Sequence, residues 1–289
     1  MRKKILLLNP PGTKIYLRTY FCSQTSKADY VYPPVDMLFL SGILSEKYDI
    51  KLIDAIRDKI EFNECYNQII DSDYHAVIFL TGYVSWKEDF KLIEKIKKTK
   101  KDIKMIAIGD VMLSHGVKKL EENWFIDAVI KDFTTSDILK YLKENPDIKN
   151  MIYRKNGKII DCSMSKFSRD YNIPVPRHEM FINKRYTYPF VKKKPMTTVL
   201  TDYGCAFNCS FCVYGTFNFK YRNINNVIDE LKHIKSLEIK EIFFLDQTFG
   251  AIRKRNIELC KRMIDEKFNF SWFCFSRVDV VDREILSLM

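Results

Sequence analysis

Short apolar runs alternate along the chain with longer stretches in which apolar positions recur every three or four residues. The first run is residues 4–9, stopped by Pro10-Pro11-Gly12. Further runs fall at 50–54, 76–81, 104–108 and 128–130, the third ending at Gly82 and the fourth at Gly109-Asp110. Between them, helical periodicity covers 35–47, 62–70, 88–97, 116–122 and 136–143. In the first of these helices Met37, Leu38, Leu40, Ile43 and Leu44 supply an apolar face. A polar, aromatic loop fills the chain from Gly12 to about Val31. Strands alternating with helices every ~25 residues predict a doubly wound parallel sheet over residues 1–150.

The pattern then breaks. Residues 151–153 and 158–161 flank Asn156-Gly157, a two-residue hairpin signal. Ile173-Pro174-Val175-Pro176 and the basic run to Pro195 read as an irregular connection, so 151–195 is expected to separate two domains. Alternation resumes over 196–289, with strands at 197–202, 241–245 and 271–275. Helices are expected at 224–237 and 254–265, with a third beginning at Asp282. Asn223 stands as the N-cap of the first, ahead of Val227, Ile228, Leu231 and Ile234 on one face.

Composition narrows the classes. A length of 289 residues with 46% hydrophobic content suits two ordinary domains. A net charge of +11 permits nucleic-acid binding, but the lysines are spread over many helix faces, and the densest run, Lys192-Lys193-Lys194, lies in the connection. A solvated surface is the reading, and nucleic acid is not an expected partner. The apolar run after Met1-Arg2-Lys3-Lys4 is too short for export, and no stretch approaches the ~20 apolar residues of a membrane span. A cytoplasmic, reduced protein is expected, its eight cysteines acting as ligands or core residues.

Three of those cysteines fall in Gly204-Cys205-Ala206-Phe207-Asn208-Cys209-Ser210-Phe211-Cys212, spaced Cys-x3-Cys-x2-Cys. Thiolates are soft ligands that select iron–sulfur clusters or zinc. Structural zinc usually recruits a second close Cys or His pair, and here the next cysteine is Cys260 while His233 stands alone on a predicted helix. Three ligands leave one position open for a substrate or cofactor. The alternatives are a zinc knuckle or a buried group of free cysteines. In the first domain, ligands of parallel sheets bind beyond the strands' carboxyl ends, where Pro10, Pro11, Thr81, Gly82, Ser85, Gly109 and Asp110 fall. Each alone reads equally as a loop residue. No Gly-x-Gly-x-x-Gly follows the first strand, which argues against a nicotinamide or flavin site.

The cysteine spacing, with Phe211 before the last cysteine, resembles the signature of the radical S-adenosylmethionine enzymes. Leu8-Asn9-Pro10-Pro11, Tyr32-Pro33-Pro34 with its apolar helix, and Ile53-Asp54-Ala55 resemble the N-terminal domain of the cobalamin-dependent members. The resemblance implies a 4Fe–4S cluster on Cys205, Cys209 and Cys212, its fourth iron chelated by S-adenosylmethionine. Reduction then cleaves the sulfonium to a 5′-deoxyadenosyl radical, and the electron comes from a donor such as a ferredoxin or flavodoxin. Phe211 would contact the adenine side, Asp246 and Gln247 would hold the methionine amino group, and Arg277 would pair with a carboxylate. Cobalamin would lie against the first domain at the seven residues named above.

The sequence departs from that family at several places. No Asp-x-His-x-x-Gly loop supplies an axial histidine, Gly109-Asp110-Val111 stands for Gly-Gly-x, Lys131-Asp132-Phe133 replaces Gly-Glu-Gly-Glu, and Gln247 replaces an acid. The family's domain resembles a partial (β/α)6 barrel, of which three βα units are read here. A piece of a longer enzyme, or one completed by a partner chain or by self-association, is therefore expected. The implied reaction is methyl transfer or radical rearrangement on a small-molecule or peptide substrate. The competing class is a noncatalytic iron–sulfur or interaction protein, or one half of a split enzyme.

Overall fold

The apolar run Lys4–Asn9 forms a strand paired in parallel with Asp49–Asp54 on one side and Ala76–Leu80 on the other. Lys104–Ile108 and Ala128–Ile130 extend the sheet beyond Ala76–Leu80, also in parallel. The spatial order is therefore second, first, third, fourth, fifth, one of the two common doubly wound arrangements. Continuous burial follows: Ile5 to Leu8 and Ala76 to Phe79 are fully buried, as strands covered on both faces require. The computed structural model describes residues 2–162 and 169–289. Within it the chain divides into the units Met1–Ser165 and Lys166–Met289.

In the first unit, the helices Phe62–Ile70, Trp86–Thr99 and Asp110–Glu122 share one core with Leu6, Leu8, Val77, Phe79, Met105 and Ala107. The helix Val35–Ser45 differs from its expected single apolar face: every residue from Val35 to Leu44 is buried, Asp36 included. A helix apolar nearly all round needs neighbours on all sides. One of them is the helix Asp137–Leu142.

Three expectations change here. The hairpin Met151–Lys155 and Lys158–Asp161, placed by the sequence in the connection, continues the sheet as two antiparallel strands beside Ala128–Ile130. Met151 and Ile152 pair with Ile130 and Val129, and burying those four apolar residues is what holds the hairpin to the sheet. Part of the connection expected over 151–195 lies outside the described residues. Second, the helix expected from residue 116 starts at Asp110, with His115 out of helical geometry (φ −134°), so a kink hides the first turns from a periodicity count. Third, the loop after Gly12 is not simply polar surface. Tyr16–Leu17 pairs antiparallel with Gln24–Thr25, and Tyr16, Leu17, Tyr20 and Phe21 are buried.

Arg18 ties that loop down. Its Nη2 lies 2.6 Å from Asp89 Oδ1, with both side chains fully buried. It also donates to Asn9 Oδ1 (2.8 Å), to the carbonyls of Pro10 and Pro11, and to Ser85 Oγ (3.0 Å). A buried pair of this kind adds little net stability over an apolar equivalent but is costly to break from one side.

In the second unit, Met196–Val199, Glu241–Phe244 and Ser271–Cys274 form a parallel sheet in chain order. The helices Ile224–Ser236 and Arg253–Asp265 connect them, burying Val227, Leu231, Ile234, Leu259 and Met263 against Val199, Ile242 and Phe244. Asp282 caps the helix Arg283–Leu288 by accepting from the Ile285 amide. The first strand, expected to reach residue 202, stops at Val199. Asp202–Tyr203 instead pairs antiparallel with Lys220–Arg222, which also pairs with Asp170–Tyr171. Fully buried His178 joins the segment before this sheet to its base, its ring nitrogens 2.8 Å from Thr197 Oγ1 and 2.7 Å from Glu230 Oε1. Burial pushes the Glu230 carboxyl up, but the Arg222 guanidinium and His178 more than reverse this and hold it below its ordinary value. Among the described residues, Ser271–Cys274 pairs with one strand only, and no helix is long and apolar enough to cross a membrane.

Replacing Arg18 with Met should leave Asp89 buried without its counter-charge and cost about 3–5 kcal/mol. Urea unfolding followed by fluorescence of Trp86 and Trp124, both in the first unit, would read this. A loss below about 1 kcal/mol, the scale of an exposed pair, would show that the pair does not anchor the loop.

Candidate functional site

The cysteine loop begins where the first strand of the second unit is pulled out of its ladder. Asp246, just past the end of the neighbouring strand and 1% exposed, accepts from the Thr201 amide (2.6 Å) and the Asp202 amide (2.7 Å) through one oxygen. Its other oxygen accepts from Thr201 Oγ1 at 3.0 Å. Two successive amides held by one carboxylate cannot continue a strand ladder, so the chain turns away. Arg255, on the helix Arg253–Asp265, secures the turn: it lies 3.1 Å from Asp202 Oδ1 and donates to the carbonyls of Thr201 and Arg222. Gly204 then takes φ +76°, where an added Cβ would stand 2.8 Å from the Asn218 carbonyl oxygen.

Beyond Gly204 the loop is irregular until the short turn Val213–Thr216. The Cys212 amide donates to the Cys209 carbonyl at 3.0 Å. Cys205 Sγ lies 3.8 Å from Thr248 Oγ1, and Cys209 Sγ accepts from Arg277 Nη1 at 3.2 Å. Cys205 lines a cavity of about 490 Å3 together with Arg169, Phe217, Tyr221 and Ile252. All three loop cysteines are half-buried. Elsewhere in the chain, burial pushes the Cys65, Cys260 and Cys274 thiols up to about 12, 11 and 12, so these three keep their protons.

Three thiols in one accessible loop make a soft donor set of the kind iron–sulfur clusters take. They do not yet converge: among the described residues, no three His, Cys, Asp or Glu side chains lie close enough to hold one metal ion. All three cysteines lie outside strands and helices, in the irregular segment before the turn Val213–Thr216.

The other residues singled out in this unit are placed as follows. Phe211 is 91% exposed and open to a ligand's face. Gln247 is half-buried beside Asp246. Asp246 itself is turned inward with both oxygens engaged, so it fixes the loop's root and is not presented to an ammonium group. Arg277 does not offer its fork to a ligand carboxylate either, since Asp279 takes Nε and Nη2 at 2.9 and 2.6 Å. Thr201, Thr248 and Arg255 carry much of the geometry and were not legible, because their partners lie more than 40 residues away.

At the crest of the first unit the structure does gather the residues named in advance, but turns them onto the chain's own loop. Pro10 and Pro11 present carbonyls to Arg18, and Ser85 Oγ accepts from Arg18 while donating to Asp89 (2.7 Å). Asp110 accepts from the amides of Ser23, Tyr83 and Val111. The clearance at Gly82 is used by Ser23, whose side chain would be 2.4 Å from an added Cβ. Gly109, at φ +142°, lies against the carbonyl of buried Thr81, 1.7 Å from where a Cβ would fall.

No family model matches the chain. An uncharacterised methyltransferase of Pyrococcus horikoshii is 26% identical over 297 aligned positions, covering 99% of this chain and 62% of that protein. The radical S-adenosylmethionine methyltransferase TsrM from Kitasatospora setae, solved with cobalamin and a 4Fe–4S cluster, matches at a TM-score of 0.71 and 15% identity over 100% of this chain. The cobalamin-dependent S-adenosylmethionine radical enzyme OxsB, solved with aqua-cobalamin, matches at 0.75 and 15% over 99%. The chain has the fold of the cobalamin-dependent radical S-adenosylmethionine enzymes. Relative to these radical enzymes it spans part of their length, 58% of TsrM and 42% of OxsB.

Asp202 and Asp246 share the buried root of the loop. Burial first, and then the neighbouring Asp246 charge, pushes Asp202 from 3.8 up to about 8, while burial raises Asp246 to about 6. The folded state therefore holds protons that the unfolded chain releases above about pH 4. Stability from this pair is present at low pH and is lost as pH rises through the folded values. Asp202→Asn should gain stability relative to the parent as pH rises from about 4 to about 8, then level off. Chemical denaturation across that range would show it. A stability difference independent of pH would mean that Asp202 stays ionised in the folded protein.

Proposed function

We propose that this chain carries the cluster-binding and S-adenosylmethionine-binding part of a radical S-adenosylmethionine methyltransferase acting on a small-molecule or peptide substrate. The observation that carries the reading is the placement of Cys205, Cys209 and Cys212 on one accessible loop at the carboxyl end of the first strand of a parallel βα sheet. Functional groups of repeated βα units gather at that end. The likeness to proteins described as methyltransferases supports the reaction class.

When bound, a 4Fe–4S cluster on these three thiolates supplies the electron that cleaves the sulfonium of S-adenosylmethionine. The chain's own residues do the placing. Asp246 and Arg255 set the root of the loop, and Gly204 lets it turn sharply. Exposed Phe211 offers a face for stacking a nucleobase, and the cavity beside Cys205 adds the aromatic walls of Phe217 and Tyr221 with the charge of Arg169. A one-electron donor of the ferredoxin or flavodoxin class is required, and the net charge of +11 favours an acidic one.

Cobalamin is the part that the residues do not fit. The crest of the first unit holds Pro10, Pro11, Thr81, Gly82, Ser85, Gly109 and Asp110 against the segment from Arg18 to Ser23 or against one another.

Anaerobic reconstitution of the full chain should give broad visible absorbance and about four irons per chain. Cys209→Ala should abolish both, while Cys260→Ala leaves them intact. Adding S-adenosylmethionine should alter the electron paramagnetic resonance spectrum of the reduced cluster. Full iron retention in a Cys205/Cys209/Cys212 triple alanine variant would overturn the site. A spectrum indifferent to S-adenosylmethionine would leave a noncatalytic iron–sulfur protein.

A further inference from the structure

Arg277 lies 68 residues beyond Cys209 in sequence, on the segment after the third strand of the second unit, yet it reaches the cysteine loop. Its guanidinium makes three kinds of contact. Nε and Nη2 pair with the two carboxylate oxygens of Asp279, Nη1 donates to Cys209 Sγ at 3.2 Å, and the ring of Phe207 lies 4.2 Å from its central carbon. The segment is itself tied to Phe249: the Phe249 amide donates to the Phe275 carbonyl (2.9 Å), and Ser276 Oγ donates to the Phe249 carbonyl (2.8 Å). Asp279 fills the Nε–Nη2 edge of the fork. Of the five guanidinium N–H groups, two go to Asp279 and one, on Nη1, points at a thiol sulfur.

We infer that Arg277 is a positioning residue that raises the reduction potential of a cluster held by Cys205, Cys209 and Cys212, acting through the Cys209 sulfur. This rests on the cluster site proposed above. Hydrogen bonds to ligand sulfurs are among the main controls on iron–sulfur potentials, and outer partners orient the ligands they touch. An N–H donor and a positive charge both stabilise the more electron-rich, reduced cluster, so the direction of the effect is upward. Asp279 offsets part of the charge but locks the guanidinium plane, and Phe207 fixes its face. Lysine would keep the charge and lose the planar fork, so it cannot hold all three contacts at once.

The test is a potentiometric titration of the reconstituted full chain, followed by electron paramagnetic resonance, for the parent and for Arg277→Lys, Arg277→Gln and Arg277→Ala. The midpoint potential should fall in the Gln and Ala variants, with Lys in between, while iron content stays at the parental level. Gln and Ala variants with intact clusters and the parental potential would overturn the inference and leave the cluster site standing. Loss of iron in all three variants would also overturn it, by reducing Arg277 to a structural prop for the loop. A parent chain that binds no iron would remove the cluster site and this role together.

Discussion

The placement of the cysteine loop depends on one buried carboxylate. Asp246 binds two successive amides of the preceding strand segment, at Thr201 and Asp202, and thereby ends that strand one step before the loop. The same contact draws Asp202 and Tyr203 into a second small sheet with Lys220–Arg222, which brings both ends of the cysteine segment back to one place. A segment anchored at both ends loses much less entropy when it closes around a ligand than a free chain of the same length would. The ordering is thus largely done before any ligand arrives, while the eight residues from Cys205 to Cys212 keep the freedom to converge.

The first unit uses a related device with the opposite result. There the Arg18–Asp89 pair also sits at the carboxyl ends of parallel strands and also pins an irregular segment. That segment carries Tyr16, Leu17, Tyr20 and Phe21, and their burial makes the loop a lid over the crest. The cysteine loop carries Ala206, Phe207, Asn208, Ser210 and Phe211 between its cysteines; Phe207 is half-buried under Arg277 and Phe211 is turned to solvent, so it has fewer buried apolar side chains with which to close itself. Side-chain composition, more than strand geometry, decides which crest is filled by the chain and which stays open to a ligand.

This explains what could be read from sequence. The inner strands, such as Ala76–Leu80 and Glu241–Phe244, announce themselves as apolar runs, because a parallel sheet buries both of their faces and leaves no alternation to interpret. The cysteine spacing is a local pattern and was legible for the same reason: its chemistry lies within eight residues. Long-range polar partners were not. Asp246 reads as a ligand for an ammonium group until its bonds to Thr201 and Asp202 are seen, and Arg277 reads as a carboxylate binder until Asp279 is found in its fork. Arg18, in a loop that looked polar, becomes a fully buried ion only because Asp89 lies opposite it on the helix Trp86–Thr99. The helix from Asp110 was shortened by the kink at His115, which breaks the period on which such a reading relies.

Charge balance at the second crest suits the chemistry of its thiols. Three cysteine thiolates add negative charge to a site whose root already holds two carboxyl groups, Asp202 and Asp246. Were both ionised, the root would add two further negative charges to that site. Burial and mutual repulsion instead keep a proton on Asp202, and Arg255 compensates the charge on Asp246, so the root is close to neutral. Arg277 then stands as the charged donor at the loop itself, on Cys209. The acids fix the backbone, the arginine faces the sulfur, and the two tasks do not compete.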